Sequence, residues 1–125
     1  MPVRLTALAG LLAGLVLALP AAGHAAPTAS SAATCSVKSD GRKLGPTYVT
    51  ALSATGTSCT TAKKVVKAFD ACRRANGGAD GTCTKKVRGY RCRETRGEAI
   101  PTQYDAKVRC TTAGRSVRFS YTQFT

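Results

Sequence analysis

The spacing of hydrophobic positions changes several times along this chain, and each spacing predicts a different element. Residues Leu5 to Leu19 form one apolar run interrupted only by small side chains and closed by Pro20. Further on, Cys59, Ala62, Val66, Phe69 and Cys72 recur at steps of three and four, with Val65 on the same stripe. Lys63, Lys67, Asp70 and Arg74 fall on the opposite side. That period predicts an amphipathic helix over 58–75, capped by Thr57 or Ser58 and ended by Asn76-Gly77-Gly78.

Elsewhere the step is two. Tyr104, Ala106, Val108 and Cys110 alternate with Asp105, Lys107 and Arg109, and Val117, Phe119 and Tyr121 alternate with Arg118, Ser120 and Thr122. These are two half-buried strands, joined by a hairpin turn within Thr111 to Gly114. Thr47 to Ala54, opened by Pro46, and Lys85 to Arg93, with Tyr90 and Cys92 on one face, are two further strand candidates. The sum is an α+β fold: one amphipathic helix packed on a small antiparallel sheet of about four strands, with one apolar sheet face. No internal repeat is visible.

The first 25 residues read as an export signal rather than as part of that fold. Met1-Pro2-Val3-Arg4 carries one positive charge, the apolar run follows, and Ala21 to Ala26 supplies the small residues a signal peptidase reads, with cleavage expected after Ala25. The run is shorter than the ~20 residues that cross a bilayer. Cys35 follows Thr34 well downstream, so a lipid anchor is not expected, and no second long apolar stretch predicts a membrane span. The division is therefore signal peptide at 1–25, a flexible Ala-, Ser-, Thr- and Gly-rich arm at 26–45, and a stapled domain at 46–125. The expected location is secreted and extracellular.

Six cysteines in an exported chain point to disulfides, since a domain this small buries a limited core and the extracellular redox state preserves the bonds. Cys59 and Cys72 lie ~20 Å apart along the helix and cannot bond to each other. Cys72 and Cys83 bracket the Gly-rich loop and are expected to close it. Cys59 faces the sheet within reach of Cys92 or Cys110, with Cys92 preferred, and Cys35 takes a remaining partner. Fifteen pairings of six cysteines exist. Neither zinc-type nor redox-type cysteine spacing occurs. Neither a metal nor another cofactor is expected.

The chain has one histidine, His24, which leaves with the signal. Catalytic triads, Cys–His pairs and His-ligated metals are then excluded from the mature protein. The carboxylates are Asp40, Asp70, Asp80, Asp105, Glu94 and Glu98. Asp70 is expected in solvent among lysines and Asp105 outward on its strand. Glu94 and Glu98 are the one pair close enough in sequence for glycosidase chemistry, in a chain with few aromatic residues to build a cleft. A non-enzymatic role is the expectation, with a small carboxylate-dependent hydrolase as the least favoured alternative.

Charge is the remaining signal. The formal net charge is +13, and loss of Arg4 with the signal lowers it by one. Lys63, Lys64, Lys67, Arg73 and Arg74 belong to the helix, whereas Arg91, Arg93, Lys107, Arg109 and Arg118 share the solvent face of the sheet if the strands pair as proposed. That face suits an anionic cell-envelope polymer or an acidic protein. A solvated surface that keeps an exported protein in solution has the same composition. Nucleic acid is less favoured, because Tyr90, Tyr104, Phe119 and Tyr121 read as core and only Tyr48 and Phe124 remain for stacking. A second class of function uses the arm: Lys38, Arg42 and Lys43, anchored by Cys35, inserting into a secreted protein partner, as an adaptor or a protease inhibitor. The oligomeric state is not specified by these patterns.

Thr57 to Val66, Val87-Arg88-Gly89-Tyr90-Arg91-Cys92 and Val108-Arg109-Cys110 with the β-rich tail resemble small exported proteins of actinobacteria. Those carry an S-C-x-x-A helix start and a V-x-G-aromatic-x-C strand, and most have no assigned activity. The combination of arm and compact stapled domain is also similar to adaptor subunits of secreted Streptomyces-type toxin particles. The resemblance implies fold and export, and it transfers no functional residue.

Overall fold

A computed structural model describes residues 23–26, 28 and 30–125. The expected signal peptide lies, apart from its last residues, outside the described residues. The chain runs β1 (Ala32–Thr34), β2 (Tyr48–Thr55), α1 (Cys59–Ala75), a 3-10 turn (Gly78–Asp80), β3 (Arg91–Ile100), β4 (Gln103–Thr112) and β5 (Arg115–Phe124). All pairings are antiparallel, in the order β1-β2-β5-β4-β3. The sheet thus has five strands rather than about four. The fifth is β1, inside the segment read as a flexible arm.

From Ala32 onward that segment packs on the sheet. The Cys35 amide donates to Leu52 O at 2.9 Å and the Val49 amide to Gly41 O at 2.9 Å, while Cys35, Gly41 and Leu44 are buried. A three-residue strand has too few positions to show an alternation, which is why composition suggested a linker.

Helix α1 begins where expected. Ser58 is the N-cap, its hydroxyl accepting from the Thr61 amide at 3.1 Å. Ala62, Val65, Val66 and Phe69 are buried against the sheet, and Phe69 meets Phe119 edge-on at 5.5 Å. After Asn76, Gly77 (φ 128°) and Gly78 (φ 67°) turn the chain back along the helix end. At Gly81 a Cβ would lie 1.9 Å from Arg73 O, so only glycine permits that close approach.

Two disulfides differ from expectation. Cys72–Cys83 closes the Gly-rich loop as proposed. Cys59, however, bonds to Cys35 rather than Cys92, and Cys92 bonds to Cys110. The helix start is tied to Cys35, which follows β1 and bonds to β2 through its amide, whereas Cys92 and Cys110 are directly opposed on neighbouring strands. A further correction concerns Lys85 to Arg93, which is not one strand. Arg88 (φ 48°) and Gly89 (φ 82°) both have positive φ, the pattern of a type I′ turn, and the Tyr90 amide donates to Val87 O at 2.8 Å. The V-x-G-Y motif is therefore a tight reversal that delivers Tyr90 to the core, and β3 starts only at Arg91.

Candidate functional site

The helix covers one face of the sheet and leaves the other open. Along β4 and β5 buried and exposed residues alternate, with Val108, Cys110, Val117, Phe119 and Tyr121 inward and Lys107, Arg109 and Arg118 outward. The register aligns the outward residues in rows across the strands. Arg93, Arg109 and Arg118 are directly opposed in sequence across β3, β4 and β5, and Ser53 continues the row on β2. Thr95, Lys107, Ser120 and Ala51 form the next row, and Arg91, Thr111, Ser116 and Thr55 flank it on the other side. All five sheet cations read from the sequence are exposed on this one face.

Adjacent strands lie ~4.8 Å apart, so three guanidinium stems stand side by side. Like charges directly opposite destabilise a sheet. None of these arginines has a salt-bridge partner among the described residues. The row borders a shallow concavity of about 1080 Å³. Small side chains, Ala51, Ser53 and Ser120, line its floor, and the backbone after β1 brings Ser36 to Lys38 to its rim. Its lining includes the cations Lys38, Arg93, Lys107, Arg109 and Arg118 and no carboxylate.

The three arm cations part company here. Lys38 joins the concavity, whereas Arg42 lies 4.3 Å over the Tyr48 ring and donates to its hydroxyl at 2.6 Å. Lys43 is exposed on the turn beyond. Asp40, from the same segment, pairs with Lys63 at 2.8 Å. Its hydrogen bond from Lys63 holds the Asp40 carboxyl below the ordinary range.

Carboxylates sit where the sequence reading did not put them. Asp70 is buried rather than solvated, paired with Arg73 and, at 2.8 Å, with Arg74. Arg73 is itself fully buried at 0 % exposure, bonded to Ala79 O at 2.6 Å, to the Tyr104 hydroxyl at 3.1 Å and to Gln123. Its guanidinium also lies 5.1 Å from the Tyr121 ring centre. A buried charge is tolerated only when paired and hydrogen-bonded, and here both terminal nitrogens find partners while Nε is left without one. The signal for it was in the spacing, since Arg73 follows Phe69 by four and falls on the apolar stripe.

Glu94 points to the helix side, accepting from Arg96 and, at 3.0 Å, from the Tyr121 hydroxyl. Burial pushes the Tyr121 phenol well above its ordinary range, so it stays a donor. Arg96 continues to Asp80 O at 3.0 Å and Gly81 O at 2.7 Å. Glu94 is thus an element of the scaffold that ties β3 to the 3-10 turn, and Glu98 is exposed beside it in the irregular stretch between Arg96 and Ala99. Asp105 is outward as expected, accepting from Thr122.

Comparison of the chain with protein-family models, with curated proteins and with solved structures finds no match. Among the described residues no helix is long and apolar enough to cross a membrane. The three disulfides fit an oxidising compartment.

Proposed function

We propose that this is an exported, non-enzymatic binding module whose open sheet face captures a linear anionic polymer. One observation carries the reading: Arg93, Arg109 and Arg118 stand in one register row beside a concavity lined with cations and no carboxylate. A row of unpaired like charges costs folding stability, and an anionic ligand recovers that cost on binding. The charge excess alone has a simpler use in solubility, but solubility does not call for three arginines in direct opposition. The disulfides support an extracellular setting, and cell-envelope phosphate polymers are one source of ligand there.

The alternative of a protein partner engaged by an inserting arm draws less support, because the backbone from Ala32 to Gly45 is held by β1, by the Cys35–Cys59 bond and by Asp40. An adaptor or inhibitor role then needs a rigid surface rather than a free arm. The test is fluorescence anisotropy of labelled inorganic polyphosphate with the disulfide-intact protein. If the row and Lys107 supply four contacts, affinity falls on the order of 50-fold between 50 and 200 mM salt. Absence of binding at 50 mM salt removes the reading.

A further inference from the structure

The open face changes character along the strands. From the arginine row the register passes through Thr95, Lys107 and Ser120, then Asp105, Thr122 and Tyr48, to a last row of Ile100, Gln103 and Phe124. Residues Arg118 and Phe124 are six apart on β5, ~20 Å at ~3.4 Å per residue. A second concavity adjoins the first and shares Thr50, Thr95, Lys107 and Ser120 with it. One trough therefore leads from the arginines toward the far end of the sheet.

That far end is aromatic and apolar. Ile100 and Phe124, 57 % and 47 % exposed, are the exposed large hydrophobic residues among those described. The Phe124 ring meets Tyr48 edge-on at 5.5 Å, and Tyr48 in turn carries the Arg42 guanidinium on its face. Tyr48 reaches this face because the register slips between Val49 and Ala51, so that Val49 and Leu52, three apart, both point inward. Of the two rings that the sequence left for stacking, Phe124 is exposed and Tyr48 half-buried.

We propose that the trough binds single-stranded nucleic acid, with phosphates on Arg93, Arg109 and Arg118 and a base stacked at Phe124 and the Tyr48–Arg42 pair. This deepens the polyanion reading and rests on it. A polymer of bare phosphates satisfies the arginines and leaves Phe124 in water, and a duplex offers no base face to stack. A single strand uses both the cationic trough, which runs as far as Asp105 and Thr122, and the aromatic edge beyond it, a combination that tolerates any sequence. Asp105, held by Thr122, is the one carboxylate at a paired position on this face, and a strand passing it is held by Lys107 alongside.

The decisive experiment compares two labelled strands of equal phosphate count, a ten-nucleotide oligothymidylate and its abasic counterpart, by anisotropy at 100 mM salt. One stacked base is worth about 5- to 150-fold, so the thymidylate strand should bind at least about fivefold tighter. Phe124→Ala should remove most of that preference. Tyr48→Leu provides a second variant, and thermal unfolding checks that each is folded. Equal binding of the two strands overturns this inference while the polyanion reading stands, as does a preference that survives both substitutions. Failure of both strands to bind overturns both.

Discussion

Neutralising Arg109 should make the protein more stable and its binding weaker. Arg109 is directly opposite Arg93 on one side and Arg118 on the other. Guanidinium groups on stems that splay to ~7 Å repel by about 0.6 kcal/mol per pair at the dielectric of water. Two pairs give about 1.2 kcal/mol, and the ~0.6 kcal/mol per pair is of the size that cross-strand side-chain pairs are worth, ~0.2–1 kcal/mol. Arg109→Gln keeps most of the aliphatic stem and removes the charge, so the gain should be about 1 kcal/mol. For a domain of this size that is ~4–8 °C in Tm. Thermal unfolding with disulfides intact, at 10 mM and 1 M salt, measures it. At 10 mM the Debye length of ~30 Å leaves the repulsion in place, and at 1 M the ~3 Å length removes it. The variant should lead at low salt and lose its lead at high salt. A variant less stable than wild type at 10 mM, or a lead unchanged by salt, refutes the idea that the row is a site of stored repulsion.

Other parts of the structure make independent predictions. Arg73→Met removes one of the two arginines paired with the buried Asp70 carboxylate, leaving only the half-exposed Arg74, and should cost on the order of 3 kcal/mol in denaturant unfolding, part of which Asp70→Leu added to it should restore. Replacing Cys35 and Cys59 by Ser opens a link across 24 residues of sequence and should cost about 3.5 kcal/mol by chain entropy, with amide exchange rising first in Ala32–Thr34. The Asp40 carboxyl, depressed below its ordinary value of 3.8 by the Lys63 hydrogen bond, contributes stability that is complete above the unfolded pKa and is lost as pH falls through the folded one. Asp40→Asn should therefore trail wild type above the ordinary carboxylate range and draw level with it once the pH falls through the depressed folded value, measured as denaturant midpoints.

Helix α1, β4 and β5 were legible in the sequence because each buries one face, so burial writes a period of 3.6 or 2 into the chain. The exposure of Arg91, Arg93, Lys107, Arg109 and Arg118 on one face followed from the same alternation. Their order in rows did not, since it depends on the register of β3 against β4, which also decides that Cys92 meets Cys110. Strand β1 is too short to carry a period, and Cys35 was the one sign that its segment is held. The Arg88-Gly89 reversal hid inside a stretch rich in β-formers, although an X-Gly pair is what a type I′ turn needs. Arg73 was counted only among the helix cations, although its spacing from Phe69 places it on the apolar stripe. The aromatic end of the face escaped because one bulge at Thr50 changes which side Tyr48 takes.

The claim that the open face is a polyanion site is tested most directly by the salt slope of binding. With four cations on phosphates, log K for a single-stranded polyanion against log[salt] should fall with a slope of about −2.8, and Arg109→Gln should reduce its magnitude by about 0.7. Binding that ignores salt, or a slope that Arg109→Gln leaves unchanged, would contradict the account.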